Sequence, residues 1–418
     1  MQSDAALEGF DRLKVREVKA KDGQTAAAFL AEFQTTAASL QPNERIELMV
    51  DTREPNMESL KAVLADPQAN KICSLKWWYD GKGCVTPIIP LLINSCPELV
   101  SLGLRFTHCS ESDFVSNVLE HPSNKIKVLE MPEYAKGDLA RFFAALGQSQ
   151  VSALTIRGCD PLAFRQGLFE YLAKDLLVRL RVRDYNQVLP ELLMSLSKCT
   201  RLAELKLLEC KFSQPTAFTH LPKSVTKLVL RDCQFIGGVD WSFLTDSNVR
   251  ELHFHRMRGV DGNQLGDALA VHLRGKGLDR LYFSAVGFVN ETLAVIGVEL
   301  GRIKRLEIAS HLNDASIKLI ALALECPNNE LRELVLWHKN NMASDIKNHF
   351  VPALKHPNCN LVKFRLLCYG SPAKAVEAMF RKRLALFVLL QGRQVKRRYC
   401  PLRRLPVEMF RLVGKVLI

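Results

Sequence analysis

The chain has 418 residues, 48% of them hydrophobic and 24% charged, and its 57 Lys and Arg outnumber 44 Asp and Glu for a formal net charge of +13. Its longest uninterrupted apolar run, Leu384 to Leu390, falls far short of the roughly 20 residues that a membrane-spanning helix requires. The first residues, MQSDAALEGFDRLK, carry an early acid and no apolar core of the secretory kind, so an intracellular, cytoplasmic protein is expected, with nuclear placement or delivery into a host cell as alternatives.

In chain order, residues 1–44 carry no repeat. There TAAAFLAEFQTTAASL sets Phe29, Leu30, Phe33, Ala37 and Leu40 at helical spacing, which predicts a helical N-terminal cap. A first degenerate copy of a recurring figure follows at RIELMV from Arg45. The figure is an aliphatic residue, two variable ones, an aliphatic, one variable and an aliphatic. Its copies start at Ile72, Leu99, Ile126, Val151, Leu177, Leu202, Val225, Val249, Leu278, Ile303, Leu331 and Leu361, in steps of 23 to 30 residues. VTKLVL, VRELHF, LDRLYF, IKRLEI and LRELVL are the clearest. Between copies the apolar spacing changes to three and four, as in FVSNVLEH, AFRQGLFEYLA, QLGDALAVHL, SIKLIALAL and IKNHFVPALKH, so each unit reads strand, loop, helix.

Units of that length and order resemble the leucine-rich repeat family, in its intracellular, ribonuclease-inhibitor-like branch. The strand motifs carry the resemblance, together with the helix-to-strand joints LECPNNELRELVL and LKHPNCNLVKFRL. The resemblance implies an α/β solenoid, a horseshoe with parallel strands on the concave face, helices on the convex face and helical end caps. It also implies a surface that binds macromolecules. The domain reading is 1–44 as the cap, 45–370 as an array of about 12–13 units, and 371–418 as a basic helical C-terminal cap or docking segment. The family's Asn or Cys ladder position is kept only in some units, with Thr107, Tyr185, Met257 and Val286 elsewhere.

Cysteine placement follows the same repeat. Cys159, Cys210 and Cys233 each lie eight residues after the start of their motif, and Cys96 and Cys199 each lie three residues before theirs. Buried reduced thiols are expected from these repeat-locked positions, and with no CxxC a structural zinc site has little support. Trp77 falls at a core position of its strand.

Strand side chains alternate, so the third, fifth and seventh positions of each motif share the concave face. The partner-binding residues read from that face are Trp78, Arg157, Arg179, Arg181, Arg183, Lys206, Lys227, Arg231, His253, His255, Tyr282 and Trp337. From Arg157 to Arg231 these positions hold seven cations and one acid, Glu204, which favours an acidic protein partner. Trp and Tyr belong to the types enriched in binding hot spots. Glu251, His253 and His255 share the face at a spacing that two zinc ligands can use, but the neighbouring positions, Val229, Arg231, Arg280 and Tyr282, are poor ligands. No metal or other cofactor is expected. With no GxSxG, phosphate-binding Gly-rich loop or HExxH, an enzyme has no motif to rest on.

After Leu366 the composition changes. SPAKAVEAMFRKRLALFVLLQGRQ reads as an amphipathic helix with Val376, Met379, Phe380, Leu384, Phe387 and Leu390 on one side. From Arg381 to Ile418 there are eleven Lys and Arg and one acid, Glu408, a net of +10; the remaining 380 residues therefore sum to +3 of the total +13. Within this tail LPVEMFRLVGKVL resembles the opening helix of an F-box, with Leu405, Pro406, Glu408 and Met409 as docking residues. The sequence is thus read as a non-enzymatic protein-interaction scaffold. One alternative is a ubiquitin-ligase adaptor acting through the LPVEM helix, and another is a binder of nucleic acid or an anionic membrane through its basic residues.

Overall fold

Along the strand Arg179–Arg183, Leu180 and Val182 are buried while the three arginines stand half-exposed on the opposite side. That alternation recurs in strand after strand, so each strand gives one apolar face to the helices and one polar face away from them. In this computed structural model the described residues are 14–20, 24–52, 57–79, 88–106, 111–131, 138–157, 162–184, 190–213, 221–338 and 343–368. The chain is mixed α/β and divides into two compact units, Met1–Val229 with Cys233–Gly237 and Leu230–Asp232 with Gly238–Ile418.

In the first unit, β1 (Lys14–Lys19), β2 (Glu44–Thr52), β3 (Ile72–Tyr79), β4 (Ser101–Phe106), β5 (Val128–Glu130), β6 (Ala153–Arg157), β7 (Arg179–Arg183) and β8 (Glu204–Leu208) lie side by side in chain order. Every neighbouring pair is parallel. Parallel neighbours need a crossover, and helices such as Ala26–Ala38, Glu111–Glu120 and Leu139–Gln148 supply it. Thr25 caps the first of these by accepting from the Ala28 N–H at 3.2 Å, and Asp138 caps the last by accepting from Arg141 at 2.9 Å. The helix read from TAAAFLAEFQTTAASL is therefore present, with Phe29, Phe33 and Ala37 buried. The strand β1 before it was not foreseen, because KVREVK offers only two apolar residues. The core is aromatic in places: Trp77, fully buried as expected, meets Phe114 edge-on at 5.8 Å.

The two shortest repeat steps, those beginning at Leu202 and Val225, leave too little chain for a long helix. Short strands β9 (Lys211–Phe212) and β11 (Gln234–Phe235), one on either side of β10 (Lys227–Arg231), pair with each other there, and Phe212 stacks on Phe235 at 4.6 Å. Only a short helix, Phe243–Asp246, follows.

The second unit sets β12 (Glu251–His255), β13 (Leu278–Ser284), β14 (Ile303–Ala309), β15 (Glu333–His338) and β16 (Lys363–Cys368) in parallel, again in chain order. Between them run the helices Gly262–Lys276, Val289–Ile296, Asp314–Glu325 and Ala343–Lys355. Phe254 and Phe283 stack at 5.5 Å beneath Phe288. Gly277 ends the first helix at φ 66°, a left-handed conformation that favours glycine, while a Cβ on Gly266 would come within 2.6 Å of Val295.

Two backbone devices recur. Asp184, Glu209, Asp232, Arg256 and Ala285 each follow a strand directly and each takes a left-handed φ of 47° to 56°. Four of these N–H groups reach across to a strand end: Asp184 to the Leu208 carbonyl at 3.0 Å, Asp232 to His255 at 2.7 Å, Arg256 to Ser284 at 2.9 Å and Ala285 to Ala309 at 3.0 Å. The chain then turns inward, so that Cys210, Cys233, Met257 and Val286 are buried. Cys210 and Cys233 donate their thiols to the Leu208 and Leu207 carbonyls at 3.2 and 3.3 Å, whereas Met257 and Val286 fill the site by packing. The second device lies at the helix-to-strand joints. Asn329 donates to the Leu324 carbonyl at 3.3 Å and accepts from the Leu331 N–H at 2.8 Å. Asn124 does the same with Leu119 at 3.1 Å and Ile126 at 2.8 Å.

Burial also sets the cysteine chemistry. Removal from water pushes the Cys96 thiol up to about 12 and those of Cys73 and Cys199 up to about 11, so they are protonated at neutral pH. Cys159 lies outside the described residues.

Candidate functional site

The polar face of each unit is ordered by strand register. In the first unit three rows run across β6, β7 and β8: Ala153, Arg179, Glu204; Thr155, Arg181, Lys206; Arg157, Arg183, Leu208. Arg157, Arg179, Arg181, Arg183, Lys206 and Lys227 are all partly exposed there, as their positions predict.

Their charges are more nearly matched than the strand positions alone suggest. Arg157 meets Glu130 at 3.0 Å. Glu204 receives Lys206 at 2.9 Å, Lys227 at 3.2 Å and Arg179 at 3.7 Å. Burial is the largest single influence on the Glu204 carboxyl and pushes its pKa up, but Lys206 and Lys227 together outweigh it and hold the group below the usual carboxylate range. Arg183 reaches Glu209 at 2.7 Å and Asp184 at 3.8 Å. Glu209 and Asp184 escaped the reading of the strand positions because they lie one residue beyond, where the left-handed turn brings their carboxylates beside the strand-end arginine. The signal was present: the eighth residue of the motifs starting at Leu177, Leu202 and Val225 is an acid each time. Farther along the unit, Trp78 is half-exposed and Lys76 pairs with Glu47 at 2.8 Å.

In the second unit one row is Glu251, Arg280, Arg305, Glu333, Lys363 and the next is His253, Tyr282, Glu307, Val335, Arg365. Glu307, only 8% exposed, receives Arg280 at 2.8 Å and also Arg305. Glu333 receives Arg305 at 3.4 Å and Lys363 at 3.2 Å. The His253 ring lies 5.6 Å from Tyr282, over which the Arg280 guanidinium sits at 5.9 Å. His253 approaches Glu251 at 3.6 Å. Burial, and then the Arg231 charge, hold His255 below its ordinary pKa. Arg231 is exposed and leans on Asp232 at 3.1 Å. Trp337 is 53% exposed, the most open aromatic among the described residues of this face.

Among the described residues no group of three or more His, Cys, Asp and Glu is placed to hold a metal, and no helix is long and apolar enough to cross a membrane. The docking residues Leu405, Pro406, Glu408 and Met409 lie outside the described residues. The chain matches no protein-family model, and no curated protein matches it.

Proposed function

We propose that the protein is a leucine-rich-repeat-like, non-enzymatic scaffold whose strand face is the concave side of a horseshoe and binds another protein with an acidic surface. The observation that carries the reading is the row structure of the first unit's polar face. Arg157, Arg179, Arg183, Lys206 and Lys227 are braced against Glu130, Glu204, Asp184 and Glu209, and Arg181 stands beside Lys206 in the middle row, so six cations face four acids, a net of +2. Side chains braced in this way lose little further freedom on binding, and their net charge favours an acidic partner.

Capture from lysate with the full chain and with an Arg181→Glu/Lys206→Glu variant, each washed at low and moderate salt, tests this. A defined protein held by the unmodified chain and lost by the variant supports the proposal. Equal capture by both baits contradicts it, and so does recovery of only nucleic acid that washes away with salt.

A further inference from the structure

In the first unit, four consecutive passages into strands, at Lys127, residues 149–152, Leu176 and Arg201, surround a cavity of about 340 Å³. Its floor is built from fixed parts. Val151 is 1% exposed; its carbonyl accepts from the buried Tyr171 hydroxyl at 3.0 Å, and its N–H reaches the Ser149 hydroxyl at 3.3 Å. Ser152 is 5% exposed, its N–H donating to the Lys127 carbonyl at 2.9 Å and its carbonyl accepting from Val178 at 2.8 Å.

The cavity's chemistry is one-sided. Lys127 and Arg201 bring two cations, Gln150 a carboxamide and Ser152 a hydroxyl, and the described lining contains no acid. Asp175, next in sequence to Leu176, is committed elsewhere: it accepts from the Thr200 N–H at 2.7 Å, the Arg201 N–H at 3.1 Å and the Thr200 hydroxyl. Among the described residues the Lys127 ammonium and the Gln150 carboxamide make no hydrogen bond or ion pair.

We propose that this cavity binds a phosphate group carried on a small organic molecule. A phosphate presents three terminal oxygens in different directions; Lys127, Gln150 and Ser152 offer donors from two separate passages, and Arg201 adds positive charge from a third. Arg and Lys are the side chains that recognise such oxygens by charge-assisted hydrogen bonds. The volume exceeds what a phosphate alone fills and lies within the range of roughly 300 to 1,000 Å³ occupied by small-molecule sites, so the Val151 and Leu176 floor is left for the organic part. The site shares no residue with the partner-binding face and stands or falls independently of it.

Calorimetric titration of the full chain with phenyl phosphate, inorganic phosphate and acetate at matched ionic strength tests the proposal. Comparison variants are Lys127→Gln, Lys127→Gln/Arg201→Gln, and Lys198→Gln, which alters an exposed cation outside the lining. Saturable binding of phenyl phosphate is expected, weakened at least about tenfold by the single variant, abolished by the double, and unchanged in Lys198→Gln. Circular dichroism verifies that the variants are folded, and the single variant serves if the double is not. The proposal is overturned if phenyl phosphate fails to saturate, if inorganic phosphate or acetate binds as tightly, or if the lining variants bind like the unmodified chain.

Discussion

Arg280 holds its guanidinium 2.8 Å from the carboxylate of Glu307 on the neighbouring strand, and Glu307 is only 8% exposed. Arg305 shares the same carboxylate, so one acid compensates two cations at the centre of the second unit's polar face. Replacing Glu307 by Gln takes the shared carboxylate from both guanidiniums and leaves Arg305 with its approach to Glu333 at 3.4 Å. Because the arginines are partly solvated the cost stays below that of a fully buried pair, at about 2 kcal/mol. Urea denaturation would show this as a lower midpoint.

Asn329 predicts a second loss. It is 4% exposed and replaces backbone hydrogen bonds where the helix Asp314–Glu325 hands over to β15. Asn329→Ala removes both of its bonds and strands a carbonyl and an N–H, at a cost of about 2 kcal/mol. Asn124→Ala, in the equivalent bonding pattern of the first unit, gives a comparable loss in the same measurement.

His272 sets a pH dependence. It is 1% exposed, with Nδ1 2.7 Å from the Leu244 carbonyl and Nε2 2.9 Å from that of Val249. Burial, the largest influence, lowers its pKa; the two carbonyls oppose this, and Lys276 and Arg250 add to the lowering. With the folded value below the unfolded 6.5, the unfolded chain takes up the proton first as pH falls. This contribution to stability is therefore intact above 6.5 and declines as pH drops from there toward the folded pKa. Thermal melts between neutral and mildly acidic pH should show the decline, and it should be smaller in His272→Gln.

Thiol labelling offers a fourth check. Cys73, Cys96 and Cys199 are buried and protonated at neutral pH, while Cys326 is partly exposed and donates to the Leu322 carbonyl at 3.6 Å. Peptide mapping after brief alkylation of the native protein should find Cys326 modified well ahead of those three. Prompt labelling of Cys96 would contradict its placement.

The division of each strand into a core side and a polar side was legible because it depends only on alternation: Leu180 and Val182 inward, Arg179, Arg181 and Arg183 outward. Trp77 and the helix Ala26–Ala38 followed from apolar spacing in the same way. What escaped the reading depends on neighbours distant in sequence. The Arg183–Glu209 pair needs the left-handed turn after β8, and β1 is a strand because it pairs with β2, not because KVREVK alternates strongly. The cavity of about 340 Å³ brings Lys127 and Arg201 into one lining across four passages, a convergence that no local motif encodes.

The central claim, that the polar strand face is where a partner docks, is tested most directly by footprinting the captured complex. Oxidative labelling of the chain alone and in complex would be compared, with attention to the peptides carrying Trp78 and Lys206 on the strand face and to Met194 on the helix Pro190–Leu196. The account predicts protection confined to the strand-face peptides, with Met194 unchanged. Protection of Met194 with the strand face still fully reactive would contradict it.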